Sequence, residues 1–120
     1  MIKVLIVDDE KDVCDTCVMY LRNNGYDAVG AGNSKDAFEL IDDFAPDVIV
    51  LDINLREQYS GIDVLRTARQ KHPGIKSIML TGLEKCEDTK DAVEYGANII
   101  IKKPVAINSI KEAIEELAEE

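Results

Sequence analysis

The sequence predicts a doubly wound α/β domain, a five-stranded parallel sheet with helices on both faces. Three observations predict it. The apolar runs Lys3–Val7, Val48–Leu55, Ile75–Leu80 and Ile99–Ile101 are continuous rather than alternating, as strands buried on both faces of a parallel sheet require. Between them lie segments whose apolar residues recur at helical spacing. Strand and helix patterns alternate, which makes βαβ units with right-handed crossovers. At 120 residues the chain is read as one domain spanning 1–120, long enough to bury about two-thirds of its unfolded surface.

The first strand gives way at Asp8-Asp9-Glu10 to a helix in which Val13, Cys17 and Leu21 share a face, closed by Gly25 in the left-handed cap position. Tyr26 to Ala31 is a shorter second strand. Gly32-Asn33-Ser34 turns the chain, with Ser34 expected as the N-cap of a second helix whose Ala37, Leu40, Ile41 and Phe44 face inward. Ala45-Pro46-Asp47 stops that helix, and the third strand follows. After the polar loop Arg56–Ser60 comes a third helix, with Ile62, Leu65 and Ala68 inward and Arg66 and Arg69 outward. His72 before Pro73 ends it, because a residue preceding proline disfavours the α conformation. A fourth helix is expected near Glu84 to Tyr95, highly charged and with a thin apolar stripe. Gly96-Ala97 leads into the fifth strand. The last helix carries Ile107, Ile110, Ile114 and Leu117 on one face behind an expected Asn108 cap. With five strands and five helices, the order 2-1-3-4-5 makes the first and third strands neighbours at the switch point.

The formal charge of −10 argues against direct nucleic-acid binding by this domain, because phosphate contacts need clustered Lys and Arg. The amino terminus is too short in apolar residues for a signal peptide, and no run approaches a membrane span. A cytoplasmic location without membrane contact is the expectation. Three cysteines do not make a disulfide framework. Cys14 and Cys17 have redox or metal-ligand spacing, yet they fall inside a helical pattern and read as small buried hydrophobes.

Four of the five strands end in a residue suited to phosphate or metal chemistry. Strand one ends in Asp8-Asp9-Glu10, strand three delivers Asp52, strand four ends in Thr81-Gly82 and strand five in Lys102-Lys103-Pro104. Ligands of open α/β sheets bind at the carboxyl ends of the strands, and there Asp8, Asp9 and Asp52 would converge. Two carboxylates 4 Å apart repel by roughly 4 kcal/mol at an effective dielectric near 20, so a positive partner must answer them. A hard divalent cation such as Mg²⁺ is the natural candidate, with Lys103 as a second charge and Thr81 as a hydroxyl donor. An acid nucleophile, a metal, an ammonium and a hydroxyl together suit phosphoryl transfer.

This order and spacing closely resembles the receiver domain of two-component response regulators, a flavodoxin-like fold, over essentially the whole chain. The resemblance implies that Asp52 is the phosphoacceptor and that Asp9 binds Mg²⁺ directly, Asp8 largely through water, with the backbone carbonyl of Asn54 as a further ligand. It implies that Thr81 and Lys103 hold the phosphoryl oxygens, that Lys103-Pro104 is a cis bond, and that Thr81 and position 100 form the conformational switch. As partners it implies a histidine kinase or phosphotransfer protein upstream and an unknown protein target or effector domain downstream. The oligomeric state stays open, a phosphorylation-dependent homodimer included. A receiver catalyses only its own phosphorylation and dephosphorylation and is not otherwise an enzyme. The chain departs from the family at Ile100, where an aromatic ring is usual, at Arg56, where proline is common, and at Leu83, apolar where many relatives are polar.

Rival readings are weaker. A phosphatase of the haloacid dehalogenase type would need a second Asp two residues after the nucleophile, where Asn54 stands. A flavodoxin-like electron carrier would want aromatic rings for stacking, and the chain has two Phe, four Tyr and no Trp. A pseudo-receiver acting as a phosphorylation-independent binding module is opposed by the intact set of Asp8, Asp9, Asp52, Thr81 and Lys103.

Overall fold

The computed structural model describes residues 1–52, 61–81, 97–102 and 106–118. The strands are β1 (Lys3–Val7), β2 (Asp27–Ala31), β3 (Val48–Asp52), β4 (Lys76–Thr81) and β5 (Ile99–Lys102). The helices among the described residues are α1 (Lys11–Asn23), α2 (Ser34–Asp43), α3 (Gly61–Lys71) and α4 (Ile107–Ala118). All strand pairs are parallel, in the expected order β2-β1-β3-β4-β5. The helix expected at 84–95 lies outside the described residues.

Alternation along each strand divides the core in two. Val4, Ile6, Val48, Val50, Ile78 and Leu80 point to one face, which α1 and α4 cover with Cys14, Cys17, Val18, Leu21, Ile110, Ala113, Ile114 and Leu117. Leu5, Val7, Ile49, Leu51 and Met79 point to the other, where α2 and α3 supply Ala37, Ile41, Val64, Leu65 and Ala68. Every residue of β3 is buried, as its unbroken apolar run demands.

Several local expectations need correction. The buried stripe of α1 is Cys14, Cys17, Val18 and Leu21, while Val13 is 42% exposed. The cause is a close approach to β2: a Cβ on Gly30 would sit 2.5 Å from Cys14 Sγ and 3.2 Å from Val18 Cγ2, so the missing side chain lets Cys14 rather than Val13 turn inward. Asn33, not Ser34, caps α2; its backbone is extended and its Oδ1 accepts from the Asp36 N–H at 2.8 Å, leaving Ser34 as the first helical residue. Asn108 lies inside α4, because the helix begins at Ile107, which packs on the core, with the Ser109 N–H donating to the Ala106 carbonyl at 3.0 Å. Arg69 is half-buried rather than solvated, and its Nη1 donates to the Ile75 carbonyl at 2.8 Å.

Other local signals act as expected. Gly25 adopts φ +89°, its N–H donates to Arg22 O and the Tyr26 N–H reaches back to Leu21 O, a Schellman cap on α1. His72 follows the last residue of α3, and its Nε2 donates to the Ile41 carbonyl at 2.8 Å, which ties the end of α3 to α2. Among the described residues no helix is long and apolar enough to cross a membrane.

Candidate functional site

The carboxyl ends of β1 and β3 bring three acids together. Asp52 is the last residue of β3, faces Leu80 of β4 in register and is 2% exposed. Asp8 follows β1 directly; its N–H donates to the Ala31 carbonyl at 3.1 Å, extending the β1–β2 ladder by one bond, and it is 3% exposed. Asp9 is half-buried beside it. Carboxylate oxygens of Asp8, Asp9 and Asp52 all lie within 4.8 Å of one another.

Local chemistry explains why Asp8 holds still. Its Oδ1 accepts the Glu10 N–H at 2.9 Å, an aspartate turn that starts α1 one residue later. The ordinary helix-start role of such acids is therefore real for one oxygen of Asp8, and it serves the cluster by fixing the carboxylate's direction. The donor, a backbone N–H at Glu10, carries no side-chain signature; the readable signal is an Asp two residues before the N-cap of a helix. α1 begins at Lys11, two residues after Asp9, and the partial positive charge of a helix's amino end favours acids placed there.

Three carboxylates at this spacing repel by roughly 3.5 kcal/mol per pair at an effective dielectric near 20. Such a cluster suits a small divalent cation. The donor set is all hard oxygen, which fits Mg²⁺, an ion that accepts one or two protein carboxylates and completes its shell with water or phosphate. The nearby thiols do not compete: burial, then the charge of Asp8, pushes Cys14 up to about 11, and the same causes raise Cys17. Both remain protonated, buried and unbridged at neutral pH, which matches their reading as small hydrophobes.

Of the other expected site residues, Thr81 is the last residue of β4, in register with Lys102 at the end of β5. The structure thus brings the ends of β1, β3, β4 and β5 to one edge of the sheet. The Thr81 side chain, Asn54, Lys103 and Pro104 lie outside the described residues, as do Arg56 and Leu83. Ile100 is half-buried, pairs with Met79 and packs on the core face that α2 and α3 cover.

Comparison with known proteins agrees with this geometry. Residues 4–115 match the family model of the response regulator receiver domain. The chain is 33% identical over 109 residues to the probable transcriptional regulatory protein TcrX of Mycobacterium tuberculosis, covering 91% of this chain and 46% of that protein. It therefore spans about half the length of that relative. Among solved structures, a CheY-like response regulator receiver domain protein of Methanospirillum hungatei superposes with a TM-score of 0.92 at 30% identity, covering 99% of this chain and 95% of that one. NtrX of Brucella abortus, solved in complex with ATP, superposes with a TM-score of 0.88 at 29% identity over 98% of this chain and 27% of its own.

Proposed function

Since the chain belongs to the response regulator receiver domain family, we propose that it is a phosphorylation switch in which Asp52 accepts a phosphoryl group from a histidine kinase or a phosphohistidine transfer protein. The observation that carries this reading is the placement of Asp52, buried at a strand end, within 4.8 Å of the Asp8 and Asp9 carboxylates. An oxygen of Asp52 forms the bond to phosphorus as the donor's nitrogen–phosphorus bond breaks, and the leaving imidazole nitrogen keeps the electron pair and takes a proton. Burial keeps bulk water from the Asp52 carboxylate, so the acyl phosphate is shielded from hydrolysis.

Asp8, Asp9 and Asp52 fit a Mg²⁺ ion, with the Asn54 carbonyl as a further ligand by family resemblance. When bound, the ion neutralises charge on the phosphoryl oxygens. Thr81 and Lys103 take the remaining phosphoryl oxygens and are drawn toward them. Phosphorylation adds about −1.5 to −2 charge at this edge. The proposed change passes to β5, α4 and the helix expected at 84–95, with Ile100 acting by packing alone because it has no ring to turn.

The chain acts on itself rather than on a diffusible substrate, so it is a signalling domain and not a turnover enzyme. Its partners are the phosphodonor protein and a downstream target or effector domain. The excess of acid argues that any nucleic-acid contact is made by such a partner. A cytoplasmic location follows from the kinase chemistry proposed.

Intact-mass spectrometry after incubation with acetyl phosphate tests this, with and without Mg²⁺. The wild type is expected to gain one phosphoryl group only with Mg²⁺, and Asp52→Asn none. No gain by the folded wild type would leave a phosphorylation-independent binding module as the better account.

A further inference from the structure

We propose that Gly30 is a positioning residue for the metal site: by carrying no side chain it sets how closely α1 seats on β2, and that seating aims the Asp8 carboxylate. The inference rests on the reading of Asp8, Asp9 and Asp52 as the residues that hold Mg²⁺.

Asp8 is held from two sides. Its N–H donates to the carbonyl of Ala31 on β2 at 3.1 Å, and its Oδ1 accepts the N–H of Glu10, the cap of α1, at 2.9 Å. The direction of the carboxylate therefore depends on where α1 stands relative to β2. The two elements meet at Gly30, the residue before Ala31, which pairs in register with Ile6 of β1. A Cβ there would stand 2.5 Å from Cys14 Sγ and 3.2 Å from Val18 Cγ2. Cys14 and Val18 lie on successive turns of α1, so the glycine seats the helix as a body rather than a single side chain. Cys14 also reaches the cap directly, since its N–H donates to the Glu10 carbonyl at 3.0 Å. One line of contacts thus runs from Gly30 through Cys14 and Glu10 to Asp8.

A side chain at position 30 would break this seating. Gly30 does not occupy the left-handed region, so alanine meets no backbone strain there and its whole effect is steric. The new Cβ must gain about 1 Å on the sulfur to reach ordinary van der Waals separation. The thiol has little room to turn aside: it is 5% exposed, packed in one cluster with Ile6, Val18 and Ala28, and a helix disfavours one of the three χ1 rotamers. The helix must therefore retreat. A retreat of about 1 Å takes the Glu10 N–H out of hydrogen-bond range of Asp8 Oδ1 unless the carboxylate turns after its donor. Either outcome re-aims a carboxylate that stands within 4.8 Å of those of Asp9 and Asp52.

Mg²⁺ affinity measured by calorimetry tests this, at a temperature where circular dichroism shows each variant folded. Gly30→Ala is expected to weaken Mg²⁺ binding about tenfold, the loss usual when a group that orients a metal ligand is disturbed. Cys14→Ala alone keeps the glycine and the helix bond to Glu10 and is expected to bind within about twofold of the wild type. The double variant Gly30→Ala/Cys14→Ala removes the sulfur that the new Cβ meets and is expected to return the affinity to within about threefold of the wild type. A merely structural role for Gly30 would lower the melting temperature and leave the affinity of the folded protein unmoved. Should Gly30→Ala fail to fold, Cys14→Val crowds the same contact from the helix side and is expected to weaken binding about threefold. Wild-type affinity in Gly30→Ala, or in Cys14→Val where that variant must stand in, overturns the proposal. So does a double variant that binds as weakly as Gly30→Ala alone. If the wild type itself binds no Mg²⁺, the metal reading of the acids fails and the inference falls with it, an outcome distinct from equal affinities in the wild type and Gly30→Ala.

Discussion

The two ends of the sheet use aspartate in opposite ways. At the amino ends of the strands Asp47 acts as a staple: its carboxylate accepts the Lys3 N–H at 3.0 Å, its N–H donates to Lys3 O at 2.9 Å and its carbonyl accepts the Lys76 N–H at 3.0 Å. One acid thus joins β1, β3 and β4, and the Lys3 ammonium lies 5.5 Å from the Phe44 ring beside it. At the carboxyl ends, Asp8, Asp9 and Asp52 crowd within 4.8 Å. The same residue type stabilises the fold at one pole and concentrates charge at the other. Charge is concentrated where the proposed function places a cation.

The largest expected effect separates the poles by metal. Mg²⁺ at a hundredfold its dissociation constant should raise the unfolding free energy of the wild type by about 2.7 kcal/mol over a chelator control. Thermal denaturation should show the full increment in Asp47→Ala and little of it in Asp9→Asn. Equal increments in both variants would break the comparison.

Alkaline titration comes next, because the charge of the acid pole reaches the thiol beneath it. Cys14 ionises near 11 in the fold against a usual value of 9.0, chiefly through burial and then through Asp8. A raised thiol pKa favours the neutral form in the folded state. Its stabilisation is complete below pH 9 and is lost as pH rises from 9 to 11, when only the unfolded chain sheds the proton readily. In metal-free buffer the loss should total about 2 to 3 kcal/mol. Denaturant midpoints between pH 8 and 11 measure it, and Cys14→Ala should flatten most of the slope, with Cys17 accounting for some of the rest.

Smaller effects have opposite signs at the two poles. Without metal, Asp9→Asn should stabilise the protein by about 1 kcal/mol through relief of like-charge repulsion, the Coulomb figure being discounted for the half-exposed carboxylate. Asp47→Ala should destabilise it by about 1 kcal/mol through loss of the charged acceptor for Lys3. Chemical denaturation in chelator decides both, and a destabilised Asp9→Asn would show that the cluster is not a repulsive one.

Much of this was readable before any coordinates. The layer architecture and the strand-end places of Asp8, Asp9 and Asp52 follow from apolar runs and from which residue ends each run, while their convergence also needs the strand order 2-1-3-4-5, one of two common for such sheets. The thiols Cys14 and Cys17 are legible as core residues, although the buried stripe of α1 includes Cys14 in place of Val13. One oxygen of Asp8 starts α1 while the carboxylate as a whole joins the cluster.

The sequence by itself determined the periods and the ends: a two-sided burial pattern makes parallel strands, and chirality makes the crossovers right-handed, so the acids after β1 and β3 had to lie at the same edge of the sheet, where the observed strand order makes them neighbours. Tertiary structure alone decided what depends on one element approaching another. Gly30 admits Cys14 and turns α1, Asn33 rather than its neighbour closes onto Asp36, Arg69 folds back to Ile75, and Asn98 pairs with Ser77 twenty-one residues away. These choices turn on distances of a few tenths of an ångström and on hydrogen bonds between segments remote in the chain, and local propensity encodes neither.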